Sequence, residues 1–158
     1  MSANRPKTRR GFTVREANAT LPLVEAIVKD LTELAREVVE RRERLSSLPA
    51  RAARHTHDPY REELAQVEEQ LEKDTRRLRK YVEELLELGV EPRSVTQGLV
   101  DFPAMIDGRH VYLCWRLGES EVGYWHERDA SIHQREPLAA SGVARDVEPS
   151  SDANPTLS

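Results

Sequence analysis

Carboxylate, thiol and imidazole groups fall close together between Gly98 and Glu127, and these three are the usual ligands of zinc and its transition-metal neighbours. Asp101, Cys114, His126 and Glu127 are the candidate ligands for a divalent metal, with Asp129 and His133 in the loop that follows. Their spacing is not that of a zinc finger or an HExxH helix, so only the fold can gather them. Arg116 and Arg135 offer a second chemistry, because a guanidinium presents forked donors that suit a carboxylate or phosphate. Glu121 and Asp101 compete with any such ligand for Arg116, and a cross-strand ion pair is the favoured reading. Trp125 is a candidate anchor for a partner or ligand. No nucleophile stands beside a base and no glycine-rich phosphate loop occurs, so catalysis has no positive sign. His55 and His57 lie two apart in a loop without a cysteine, a pattern that fits solvent exposure better than metal binding.

The elements that must position these residues are strands. Between Gly98 and Glu127 the pattern alternates, and Asp107-Gly108 between two apolar-rich runs is a hairpin turn. A two-residue turn there pairs Ile106 with Arg109, Phe102 with Leu113, Asp101 with Cys114, Val100 with Trp115 and Leu99 with Arg116. Pro103 cannot donate to a ladder, which predicts an edge position for the first strand. With Gly118-Glu119 as the next turn, Trp115 faces Val122, Leu113 faces Tyr124 and Val111 faces His126. The resulting three-stranded meander has a core face (Val100, Phe102, Val111, Leu113, Trp115, Val122, Tyr124, with His126 at its end). Its other face carries Leu99, Asp101, Tyr112, Cys114, Arg116, Glu121 and Trp125. A three-residue second turn exchanges the faces of Trp125 and His126.

Upstream, Thr13-Val14-Arg15-Glu16 is a capping box. Pro22 then predicts a short helix over Val14 to Ala19 and a long one from Leu21 to Leu48. Leu21, Val24, Val28, Leu31, Ala35, Val38 and Leu45 form an apolar seam, broken by Arg42. After a tip over Ser46 to Pro59, Asp58-Pro59 caps a helix whose seam is Leu64, Val67, Leu71, Leu78, Val82, Leu85 and Leu88, with Asp74 or Thr75 at its gap. Gly89 and Pro92 end it. The expected fold class is α+β: a long antiparallel helical hairpin over residues 13–89, packed on a small three-stranded antiparallel meander with its following loop, 97–138. One domain, 12–138, lies between a disordered basic leader, 1–11, and a disordered tail, 139–158.

Composition bounds the partners. The chain has 158 residues, 33% charged and 38% hydrophobic, which suits long solvent-facing helices over a thin core. A net charge of -4 argues against nucleic-acid binding, which calls for a basic stripe. No apolar run reaches the roughly 18 residues of a membrane span, and no secretory signal is read. The single cysteine fits a reducing compartment, so cytoplasmic residence is expected. The helix seams are longer than one small sheet covers, which predicts a homodimer.

FTVREAN and LPLV near the start, GLVDFPA, the G-R-x-V-Y-L-C-W-R-L-G-E run, Y-W-H-E and the R-x-P-L of Arg135 to Leu138 together resemble an uncharacterised prokaryotic family, domain of unknown function 2203. The resemblance covers Phe12 to Leu138. It implies a common fold and supplies no catalytic residues; Ser131 and Gln134 stand where the family pattern has glycine. Two function classes remain open. One is an oligomeric interaction or regulatory module docking a protein partner through Asp101, Arg116 and Trp125. The other is a small metal-dependent enzyme or ligand-binding protein with its site on the meander.

Overall fold

The computed structural model describes residues 11–47, 59–130 and 134–138. The leader before Gly11, the hairpin tip with His55 and His57, His133 and the tail from Ala139 lie outside the described residues. The fold is α+β. Helix α1 (Val14–Ser46) and helix α2 (Pro59–Glu87) precede strands β1 (Glu91–Ser94), β2 (Leu99–Ile106), β3 (Arg109–Arg116), β4 (Tyr124–Glu127) and β5 (Glu136–Pro137). The strands form one antiparallel sheet in the order β1-β2-β3-β4-β5.

The capping box at Thr13 is present: the Glu16 amide donates to Thr13 Oγ1 at 3.0 Å and the Thr13 amide to Glu16 Oε1 at 3.1 Å. The break expected at Pro22 is not. α1 runs through it as one helix of 33 residues. Pro22 is exposed, whereas Ala17, Leu21 and Val24 on either side are buried in the core. Burying those side chains outweighs the roughly 3 kcal/mol an interior proline costs. α1 buries its seam from Leu21 to Val38. Of the α2 residues whose burial is described, Leu71, Asp74 and Leu85 are buried, and the seam residues Leu64, Val67, Leu78 and Val82 are half-buried, as is Leu88 just beyond its end.

Five strands replace the expected three. β1 is read as nothing in the sequence, because Glu91-Pro92-Arg93-Ser94 has no apolar alternation, yet it pairs with β2 through Glu91↔Asp101, Pro92↔Val100 and Ser94↔Leu99. Arg93 is the extra residue of a bulge in that ladder. β2 is therefore an inner strand, but β1 stops short of Pro103, so no ladder bond is lost there. Phe12 occupies that stretch instead, its amide donating to the Pro103 carbonyl at 2.7 Å. Gly11 makes the approach possible: at φ +76 a side chain would be strained, and a Cβ would sit 2.5 Å from the Pro103 oxygen.

The β2–β3 register is the one predicted, from Leu99↔Arg116 to Ile106↔Arg109, around a turn with positive φ at Asp107 and Gly108. The β3–β4 register differs by one residue: Val111↔Glu127, Tyr112↔His126, Leu113↔Trp125 and Cys114↔Tyr124. The reason lies in α1. After a turn closed by the Glu119 amide on the Arg116 carbonyl, the chain leaves the ladder, and the Val122 amide donates to Asn18 Oδ1 at 2.7 Å while the Val122 side chain enters the core. The strand resumes only at Tyr124, one step out of the assumed phase. The inner face thus holds Val100, Phe102, Val111, Leu113, Trp115 and Trp125, packed with Ala17, Val24, Val28, Leu31 and Leu85.

Candidate metal centre

The register change decides what the outer face contains. Because side chains alternate, moving β4 by one residue takes Trp125 off the outer face and brings His126 onto it. Trp125 is buried on the core side, so it is not the surface anchor expected from the sequence. His126 joins Asp101 and Cys114, the combination that the expected register kept apart.

Asp101 and Cys114 are direct cross-strand neighbours on β2 and β3. His126, on β4, is paired with Tyr112 one step along, so its imidazole must lean across β3 to reach β2. A small side chain at Cys114 leaves room for it. The imidazole Nε2 lies 3.0 Å from Asp101 Oδ1. Cys114 Sγ completes a group whose ligand atoms are all within 4.8 Å of one another. None of the three residues is more than 2% exposed.

Each member has a partner of its own behind it. His126 Nδ1 is 2.8 Å from the Glu127 carbonyl oxygen, which only accepts, so Nδ1 carries a proton and donates there. Nε2 is turned to the cluster, where its hydrogen bond with Asp101 Oδ1 needs a second proton between the two atoms. Asp101 Oδ2 accepts from Arg93 Nε at 2.7 Å and Nη2 at 2.6 Å. Cys114 Sγ lies 3.7 Å from Arg135 Nη1, and the Arg135 fork is held by Glu119 and by the face of Tyr124, 3.9 Å from the ring centroid. Metal ligands are typically oriented in this way by an outer layer of hydrogen bonds.

Electrostatics set the resting state of the sulfur. Burial, reinforced by the Asp101 carboxylate and opposed by Arg135, pushes the Cys114 thiol up to about 11. Burial works against the charge on Arg135, but its bonds to Glu119 and Cys114 prevail and hold it above the usual guanidinium range. Both ring nitrogens of His126 already face Glu127 and Asp101, so among the described residues no imidazole is aimed at Cys114. A buried thiol that holds its proton this tightly is a poor nucleophile.

Beside the cluster, Tyr112 rests 5.4 Å from the His126 ring, centroid to centroid. Its hydroxyl donates to Glu91 Oε1 at 2.8 Å and accepts from Arg128 Nη1 at 3.2 Å. Burial, then the bond to Glu91, raises its pKa. Arg128 also lies over the Tyr112 ring at 4.3 Å.

Of the four metal candidates the fold gathers Asp101, Cys114 and His126. Glu127 stays apart: its side chain is on the opposite face from His126 and pairs with Arg109 at 2.9 Å. Arg116 is exposed, and among the described residues its side chain makes no ion pair; Asp101 takes Arg93 in the place expected for Arg116. Arg135 is part of the site, held by Glu119. Sequence reasoning missed Arg93 and Glu91 because β1 was not read, and Glu119 because it looked like a turn residue alone. No local pattern marks these three; the alternative of a three-residue second turn bears on His126 alone, which it moves to the outer face.

A family model described as an uncharacterized conserved protein, DUF2203, matches residues 10–138. The chain belongs to that family. Comparison with curated proteins and with solved structures gave no match. The DUF2203 match spans both helices and all five strands, so every residue of the Asp101, Cys114, His126 cluster lies within the family region.

Proposed function

We propose that this protein binds one transition-metal ion of the zinc type through Asp101 Oδ1, Cys114 Sγ and His126 Nε2, and acts as a small metal-dependent enzyme or ligand-binding protein. The observation that carries the reading is the convergence of these three ligand atoms from three adjacent strands, buried and within 4.8 Å of one another, each with a separate orienting partner. A mixed S, N, O donor set suits zinc, cobalt or iron and is poor for magnesium or calcium. Tetrahedral bonds of about 2.0 to 2.3 Å place ligand atoms roughly 3.3 to 3.7 Å apart, so an ion needs the Nε2 and Oδ1 atoms, now 3.0 Å apart, to open slightly and the wider separations, up to 4.8 Å, to close by about 1 Å. Three protein ligands leave a fourth position open, as in metal sites that bind and polarise water or substrate.

Metal analysis of protein purified without chelator or added metal tests this. The expected content is near one ion per chain, falling at least tenfold in Cys114→Ala and His126→Ala. A wild-type content near zero, with no uptake of added Zn²⁺ or Co²⁺, overturns the reading.

A free buried cysteine supports cytoplasmic residence as part of the same proposal. No helix among the described residues is long and apolar enough to cross a membrane. A homodimer built through the helices is also proposed, on the exposed Leu23, Val39 and Leu86. The docking-module reading keeps Arg116 as its exposed residue but loses Trp125 to the core and Asp101 to its buried contacts with Arg93 and His126.

A further inference from the structure

We propose that Arg135 is the positioning residue of the sulfur ligand: it covers Cys114 and, once a metal is bound, donates a hydrogen bond to the thiolate and slows loss of the ion. The inference rests on the metal reading above and adds to it how the sulfur is kept in place.

The ground for it is a relay of contacts that ends on Sγ. Glu119 is anchored at both ends: its carbonyl accepts from Trp115 Nε1 at 3.1 Å, and its Oε1 accepts from the Arg116 amide at 2.9 Å. The anchored carboxylate grips the Arg135 fork through both oxygens. Tyr124, directly across from Cys114 on β4, supports the flat face of the guanidinium. With those contacts fixed, Nη1, one of whose hydrogens serves Glu119 Oε1, brings its other to Sγ at 3.7 Å. The chain holding Arg135 is pinned immediately afterwards, because the Leu138 amide donates to the Gly123 carbonyl at 2.9 Å and Leu138 is buried. The Arg135 side chain is 17% exposed and Cys114 is fully buried, so the guanidinium stands between solvent and sulfur.

Metal binding changes what that contact does. The Sγ–H bond breaks and the proton held between His126 Nε2 and Asp101 Oδ1 is displaced; both protons leave to solvent, and the electron pairs left on sulfur, nitrogen and oxygen form the bonds to the metal. The remaining lone pairs of the thiolate are then buried, and a charged N–H donor satisfies one of them. Lysine could supply the charge but not a fork able to serve Glu119 and sulfur together.

Cobalt substitution reads this directly. Co²⁺-loaded wild type, Arg135→Ala, Arg135→Lys and Glu119→Gln are compared for the thiolate-to-cobalt charge-transfer band, the visible d–d bands and the rate of metal loss to excess chelator. Loss of the hydrogen bond raises the energy of the sulfur donor orbital. Arg135→Ala is therefore expected to move the charge-transfer band to longer wavelength and to lose metal at least tenfold faster, with d–d intensity still that of a four-coordinate ion. Arg135→Lys restores neither fully. Glu119→Gln, which keeps the arginine but loosens its anchor, falls between and serves as the test if Arg135→Ala does not fold. Wild-type bands with an unchanged charge-transfer energy and an unchanged rate in the variants overturn the role of Arg135 and leave the metal site standing. Absence of cobalt bands in the wild type removes the metal site itself, and the inference with it.

Discussion

Cys114 is the residue in which burial, charge and chemistry meet, and it carries a pH signature in the metal-free protein. Its thiol is raised from an ordinary 9.0 to about 11 in the fold, chiefly by burial. A group that holds its proton more tightly when folded stabilises the fold fully below the lower value and loses that contribution as pH rises through the higher one. Between pH 9 and pH 11 the unfolded chain ionises first and stability drains away. The expected loss is about 1.4 kcal/mol by about pH 10 relative to about pH 8, since each unit of displacement is worth about 1.4 kcal/mol. Urea denaturation of chelator-treated wild type and Cys114→Ala at both pH values checks it: the extra slope must vanish in the variant. Sequence alone named Asp101, Cys114 and His126 as ligand candidates from residue type, but placed His126 on the wrong face. What it lacked was the bond from Val122 to Asn18 of α1, a contact between residues 104 apart in the chain that no local pattern encodes.

Two polar groups buried between elements show how the helices are held, and they should answer mutation in opposite ways. Asp74 sits at the gap in the α2 seam, buried, bonded to Arg41 of α1 and to Gln70, with Arg77 at 3.6 Å. Arg41 is a third exposed, so the pair is only partly desolvated. Asp74→Ala removes its hydrogen bonds and leaves Arg41 without its partner on α2, and is expected to cost about 1.5 to 3 kcal/mol in denaturant melts. Thr32 is the contrary case. Among the described residues its buried Oγ1 has no hydrogen-bond partner; it lies beneath Gly98, where a Cβ would come within 3.4 Å of it. Thr32→Val keeps the shape and discards the unsatisfied hydroxyl, so the variant should gain about 1 kcal/mol in the same melts; a loss of that size would show that the hydroxyl is satisfied. These elements were legible unevenly. α1 and α2 announced themselves through seams of three and four, and the β2–β3 register through Asp107-Gly108. Pro22 misled because local propensity says nothing of the core that Ala17 and Val24 bury around it. β1 and β5 are short strands whose only evidence is their neighbours, so no alternation betrays them.

At the scale of the molecule the sheet covers only part of the helices. The core gathers Ala17 to Leu31 of α1 and Leu85 of α2 against the inner face of the sheet, while Val38 and Leu71 lie farther along, where the helices have mainly each other. In that outer half, Leu45, Leu64 and Val67 are only half-buried. The apolar surface offered to a partner continues along the helices in Leu23, 52% exposed, Val39, 43%, and Leu86, 50%. Single exposed leucines are ordinary on a monomer, but a half-covered seam along two long helices is what a helical partner buries. A second copy of the chain offers the same seam and a self-complementary twofold contact. The charge of -4 is modest enough not to oppose it, and Glu and Arg interspersed along both helices allow pairing across such an axis. Sedimentation equilibrium at tens of micromolar protein is expected to give twice 18.1 kDa for the wild type. Leu23→Glu with Leu86→Glu places charge on exposed positions that the fold of one chain does not need, so the double variant should keep its melting temperature at low concentration while shifting toward monomer. A wild type that sediments only at 18.1 kDa would remove the dimer, and would mean that the half-buried seam is the solvated surface of a free-standing hairpin.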